Sequence, residues 1–363
     1  MKRTIVISTL MAAAWLGGSN SRAAVGTLSG PTVQGNLQVF LIHGHTQLEE
    51  HRYVTLSEAL DRGLVQVRET GNVNELSIEN LSKEATVFLN AGDIVKGGRQ
   101  DRAVRDDLVL SPFSGEVPLS AFCVEHGRWT QRGRENATAF SSNTKALSSR
   151  REKLAARYEN NQSYVWAGVA EQQAQLSQNL SRMAGKPVDV RSADSSSSLQ
   201  LALEDKDLDG VKKRYVDKLA HLLDGKTDVI GFLYAINGEI NSAEVYNNKA
   251  LFRALWPKLI DAAMTEALTD CNSDRTFPVV SQEQLKSFFQ TAVSGAMSER
   301  QVWKTTRVHT FTTDTTVLFE TQDLDADGLW IHKSFIEKEK DGVVVPLDGN
   351  AQVPQNIHRP VLR

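Results

Sequence analysis

Residues 229–246 read VIGFLYAINGEINSAEVY. The first eight are almost wholly apolar, the composition of a strand buried on both faces. Asn237-Gly238 follows, the dipeptide selected by a two-residue hairpin turn because both turn positions need φ above zero. Glu239 to Tyr246 is then the antiparallel partner strand. Upstream, 37–42 reads as the first strand, and Thr55-Leu56-Ser57-Glu58 as a capping box opening a short helix that stops at Gly63. Short β-like runs follow at 64–69, 76–79, 85–89, 107–110 and 117–125, divided by Gly, Asn, Pro and Ser. This spacing favours antiparallel pairing over a doubly wound parallel sheet.

From about Arg150 the apolar period lengthens. Val165, Val169, Leu176, Leu180 and Met183 share a helical face ended by Gly185, and Leu208, Val211, Tyr215, Leu219 and Leu222 share another ended by Gly225. Ser195 to Ser198 reads as a solvated linker between them. Leu251 to Met264 is a third helix, with Pro257 either kinking it or starting its second segment, 282–290 a fourth, and 302–335 returns to β alternation. Trp166, Phe252 and Trp256 are expected in the core. The fold class is α+β: a mainly antiparallel β sandwich or barrel-like sheets with several packed helices.

The chain has 363 residues, 40% of them hydrophobic, and a formal net charge of −3. That balance gives no basis for nonspecific nucleic-acid binding. Lys2, Arg3, an apolar stretch from Ile5 to Leu16 and the Ser21-Arg22-Ala23 site read as a signal peptide over 1–23. A secreted, periplasmic or extracellular soluble protein is expected, with no membrane span. Residues 24–36 read as an extended, flexible leader, 37–335 as a single α+β unit, and 336–363 as an irregular tail.

The segment 92–102, GDIVKGGRQDR, holds three glycines, three basic side chains and two aspartates. Gly97 and Gly98 allow close backbone approach, and their amides form an anion nest if successive N–H groups converge. In the strand from Val117, alternation places Val117, Leu119, Ala121, Cys123 and Glu125 on one face. Glu125 closes an apolar row and needs a partner, either Arg102 or Arg128. The predicted ligand-binding set is Gly97, Gly98, Arg99, Gln100, Arg102 and Arg128. The same cluster reads equally well as an ion-pair staple beside an ordinary turn.

Other motifs are weaker. Cys123 and Cys271 permit one disulfide or two buried thiols. The stretches beginning at Asp205 and Asp323 imitate calcium loops, but their twelfth positions are Val216 and Ser334, so an acidic helix start and a hairpin turn are expected. His43 and His45 lack the further ligands of a zinc set. A serine-hydrolase reading fails for want of a G-x-S-x-G elbow. No metal and no cofactor are expected.

The order of Tyr53 to Leu60 (YVTLSEAL), Asn74-Glu75-Leu76, Gly97 to Arg102 (GGRQDR), Cys123 to Trp129 (CVEHGRW) and Leu251 to Leu259 (LFRALWPKL) resembles the bacterial family called ADP-ribosylglycohydrolase and rhodanese-phosphatase associated proteins. The resemblance runs from about 37 to 335. That family is named for genomic company, so the resemblance implies a shared fold and ADP-ribose or related nucleotides as first ligands. The expected function is noncatalytic binding of a small anionic ligand. The alternatives are a hydrolase with Glu125 as general base and Arg102 or Arg128 stabilising an oxyanion, or a structural or partner-binding envelope protein.

Overall fold

A computed structural model of the chain describes residues 26–136, 138–272 and 275–338, with backbone only at 142–146 and 214–217. The expected signal peptide and nearly all of the expected tail lie outside the described residues. The strands Val229–Ile236 and Glu239–Tyr246 pair from Ile236↔Glu239 outward, with Asn237 at φ 56° and Gly238 at φ 79°. The Asn-Gly turn therefore adopts the left-handed geometry that its residues favour.

This hairpin is central to an eight-stranded antiparallel sheet. Its order is Thr27–Gln34, Leu37–His43, Val229–Ile236, Glu239–Tyr246, Leu329–Glu337, Thr316–Asp323, Thr306–Thr312 and Ala296–Trp303. Both faces of the hairpin region are covered. On one side Phe232, Tyr234 and Tyr246 meet Phe252, Trp256 and Leu259 of the helix Lys249–Thr269. On the other, Leu233, Ala243 and Phe335 meet Phe288 and Phe289 of the helix Gln282–Val293. Each such aromatic, fully buried, contributes roughly 1.5–3 kcal/mol.

A second sheet has six strands, in the order Phe140–Leu147, Asp93–Gly97, Arg102–Val104, Gly115–Cys123, Glu75–Asn80 and Val65–Glu69. Its two edges approach through an antiparallel bridge between Arg68 and Ala139, so the sheet is barrel-like. Val67, Leu76, Ile78, Val117, Leu119 and Ala121 fill its interior, as the period-two reading of the strand from Val117 requires. A three-stranded sheet, Tyr53–Thr55, Thr86–Leu89 and Leu108–Leu110, lies between; its first pair is parallel.

Several expectations change. Thr27–Gln34, expected as leader, is the edge strand that pairs with Leu37–His43. Leu28 packs into the apolar core there, so ordering this polar segment is offset by burial and ladder hydrogen bonds. At the far end, Ile336 is buried and the last strand reaches Glu337. Trp166 is only half-buried and stands edge-on against His126, 4.5 Å between ring centres, while Phe252 and Trp256 are core as expected. Pro257 lies inside an unbroken helix.

Candidate functional site

The stretch 92–102 is itself a hairpin. The strands Asp93–Gly97 and Arg102–Val104 pair at Ile94↔Ala103 and Val95↔Arg102, leaving 98–101 as the connection. Gly97 and Gly98 have φ of 122° and 54°, and a Cβ at Gly98 would overlap the Phe140 ring and the Glu69 carboxylate. Both glycines are therefore required by the protein's own packing.

The amides have acceptors within the chain. Gly97 N–H donates to Asp101 Oδ1 at 3.0 Å, Arg99 N–H to Glu69 Oε1 at 2.7 Å, and Asp101 N–H to Glu125 Oε2 at 3.1 Å. Gly98 N–H donates to the Asn136 carbonyl at 3.0 Å. The nest expected from the glycines thus encloses carboxylates of the protein itself.

Around it the charges pair in two forks. Arg128 Nε donates to Glu125 Oε1 at 2.7 Å, and its Nη2 lies 2.7 Å from Oε2. Arg132 grips Asp101 at 2.8 and 3.0 Å. Ser198, expected in a solvated linker, is buried because its hydroxyl donates to Asp101 Oδ2 at 2.8 Å and also caps the helix Leu199–Leu203. Burial pushes the Glu125 carboxyl up, but the Arg128 fork and the Asp101 amide outweigh it and hold the group below the usual carboxylate range. Both oxygens of Glu125 are thus engaged by donors of the protein, Arg128 and Arg132 on Oε1 and Arg128 and the Asp101 amide on Oε2.

Arg102 turns elsewhere. It is fully buried, donates from Nη1 to the Gln100 carbonyl at 3.0 Å, and has Nη2 3.9 Å from Glu69 Oε2. Among the described residues its Nε and Nη2 find no hydrogen-bond acceptor. The half-exposed ring of Trp129 lies 5.6 Å from its guanidinium and 5.9 Å from that of Arg99. Of the predicted set, Arg99 alone is exposed; Gly97, Gly98, Gln100 and Arg102 are buried, and Arg128 is mostly so. Cys123 and Cys271 are free thiols, the first buried and the second partly exposed. Asp205 caps the helix Lys206–Ala220, and the Asp323 motif is a hairpin turn. His43 bonds Ser29 and Asp228, and among the described residues no three His, Cys, Asp or Glu side chains group as a metal site.

A second polar assembly was not anticipated from sequence. It is organised by 149–158, SRREKLAARY, which runs as a helix, Arg150–Lys153, passing into a π-helical turn, Leu154–Tyr158. Such turns commonly mark functional sites. One face carries Lys153, 3.0 Å from Glu244, and Arg157, 3.1 Å from Asp107. His332 bridges the same two carboxylates at 3.0 Å to Asp107 and 2.9 Å to Glu244. Burial lowers the His332 pKa, but the two carboxylates outweigh it and raise it. This network joins the three-stranded sheet's neighbour Asp107 to the eight-stranded sheet, as a staple.

The opposite face opens on a cavity of about 280 Å³ between the helices Arg150–Lys153, Gln162–Ala184 and Lys249–Thr269. Two buried carboxyls line it. Glu266 accepts from Tyr234 Oη at 2.9 Å, Asn241 Nδ2 at 3.0 Å and the Arg150 amide at 3.0 Å. Glu152 Oε2 accepts from the Ser149 amide at 2.7 Å and pairs with the Ser149 hydroxyl, while Oε1 has no hydrogen-bond partner among the described residues. Burial, with Glu266 nearby, pushes Glu152 up to about 7 against the pull of Ser149. Burial also raises Glu266. Gly168 makes the room: a Cβ there would stand 3.1 Å from Glu152 Oε1. The signals were present in the sequence, since Ser149 to Glu152 fits a capping box and Glu266 interrupts an apolar helical face.

Fold and site together define an α+β protein with a barrel-like sheet, a large antiparallel sheet with its helices, and a buried ion-pair network that ties the three-stranded sheet to the large one. The chain belongs to the family of the ARG and Rhodanese-Phosphatase-superfamily-associated Protein domain, whose model matches residues 27–336. Comparison with curated proteins and with solved structures returns no match.

Proposed function

We propose that the protein is an exported, noncatalytic binder of a small polar molecule, held in the cavity beside Glu152. One observation carries this reading: Glu152 Oε1 and Gln172 Oε1, both buried at the wall of one cavity, have no hydrogen-bond partner among the described residues. Leaving such groups unmatched costs on the order of 1–3 kcal/mol each, a cost that a ligand bearing donors would remove. The Gly97 to Arg102 loop is, on this reading, a structural clamp. Export rests on Lys2, Arg3, the apolar stretch and the Ser21-Arg22-Ala23 site. Mass spectrometry of the natively expressed protein should find a mature chain starting near Ala24; a soluble form retaining Met1 would argue against it.

A second reading keeps an anionic, nucleotide-like ligand, as the family's name suggests. It is favoured by the unmatched Nε and Nη2 of Arg102 beneath Trp129, with Arg99 exposed beside the same ring. The ligand would meet these side chains and not the occupied amides. A thermal-shift screen of small polar metabolites, ADP-ribose included, separates the two. Ligand at 100 times its Kd adds ~2.7 kcal/mol to stability, a shift of several degrees for a chain this long. Shifts kept by Arg99→Ala and lost in Gly168→Gln, which fills the cavity, support the first reading. The reverse pattern, with ADP-ribose as the hit, supports the second.

A further inference from the structure

The cavity also carries information about its occupant. Its lining includes the carboxyl groups of Glu152, Glu171, Glu266 and Asp270 against the guanidinium groups of Arg150 and Arg151. Arg151 is committed to Glu171 in an ion pair. Glu266 already accepts three hydrogen bonds, from Tyr234, Asn241 and the Arg150 amide. What is left unmatched is a pair of acceptors, Glu152 Oε1 and Gln172 Oε1. No aromatic side chain lines the space to stack on a base. Its volume, about 280 Å³, leaves room for a small molecule.

We propose that the cavity takes a small organic cation of the amine or guanidine class, whose N–H groups meet Glu152 Oε1 and Gln172 Oε1. This rests on the reading that the cavity is the ligand site. Gly168 is the specificity element on the long helix, because any side chain there presses on Glu152 and Arg151. A mid-helix glycine is disfavoured relative to alanine, and here it preserves the approach to the carboxylate.

Binding should also be coupled to protons. Glu152 faces Arg150 and Arg151 from its own helix, Glu171 from the helix Gln162–Ala184, and Glu266 and Asp270 from the end of the helix Lys249–Thr269. Its carboxyl is pushed up to about 7, first by burial and then by Glu266. A cation selects the ionised form, so affinity rises with pH until Glu152 is fully deprotonated and is level above that.

The test is isothermal titration of the full chain with agmatine as the probe, and with propionate and 1,3-propanediol as an anion and a neutral molecule of similar reach. Agmatine should bind, more tightly by about tenfold per pH unit between pH 5 and 6.5. Glu152→Gln, which keeps the side chain's shape, should weaken binding at pH 8 at least tenfold and abolish the pH dependence. Gly168→Ala, a substitution the helix favours, should weaken it while the protein stays folded. Agmatine binding equally well to wild type and Glu152→Gln overturns the placement. Binding of propionate or propanediol but not agmatine, blocked by Gly168→Ala, overturns the cation assignment and leaves the cavity as a ligand site. Absence of binding by all three overturns the cation assignment and removes support for the cavity itself.

Discussion

Arg128 and Glu125 form a two-point ion pair, Nε to Oε1 and Nη2 to Oε2, each at 2.7 Å, with the carboxylate wholly buried. Removing Arg128 leaves the buried Glu125 carboxylate with one longer cation contact, Arg132 Nη1 at 3.3 Å, and the Asp101 amide. Arg128→Ala should therefore destabilise the fold by about 3–5 kcal/mol, read as a large fall in the urea midpoint. Replacing both residues, Glu125→Gln with Arg128→Met, should cost less than Arg128→Ala alone, because no lone charge is left behind. A double variant worse than the single would contradict the staple.

Gly98→Ala should cost more than Gly71→Ala. Both positions have positive φ, 54° and 83°, but a Cβ at Gly71 meets nothing within 4 Å whereas one at Gly98 meets Phe140 and Glu69. The backbone term of roughly 1 kcal/mol is shared; the collision is the difference. Equal midpoints for the two variants would mean that the loop has free space above Gly98.

Stability should decline as pH rises through neutrality. Glu152 is raised to about 7, so its contribution is fully present below the unfolded value near 4.5 and is lost as the pH approaches and passes 7. His332, also raised, is charged and paired below its folded pKa and loses that contribution as it deprotonates. The two act in the same direction. Chemical denaturation from pH 5 to 9 should show the fall, and Glu152→Gln should flatten the part between pH 5 and 7. An unchanged slope in that variant would show that Glu152 ionises in the folded state as it does in the unfolded one.

The thiols should differ. Cys123 is buried and burial pushes its thiol up to about 11; Cys271 is partly exposed, and burial raises it too. Iodoacetamide at neutral pH should label Cys271 slowly and Cys123 only after unfolding. Recovery of a Cys123–Cys271 disulfide from the natively expressed protein would contradict the free thiols.

What the sequence disclosed follows from how local each signal is. Asn237-Gly238 reports its own turn, and Val117, Leu119 and Ala121 report a strand face, because period and turn chemistry are short-range. The strand Ala296–Trp303 is exposed along most of its length, so no apolar alternation announces it. Phe140–Leu147 pairs with Asp93–Gly97 from more than forty residues away, and only the barrel makes it a strand. Glu125 was found as a carboxylate ending an apolar row. Arg132 was not, because nothing in QRGRE distinguishes a buried arginine from a solvated one until Asp101 stands 2.8 Å from it. The Glu152 cavity likewise exists only where three helices meet.

The most direct measurement is a crystal structure of the protein soaked with agmatine, ethanolamine and ADP-ribose together. The account predicts new density in the cavity between Gly168 and Glu152, within hydrogen-bond distance of Glu152 Oε1, with the Gly97 and Arg99 amides still bonded to Asp101 and Glu69. Density for a phosphate on those amides, with Asp101 or Glu69 displaced and the cavity unchanged, would contradict it.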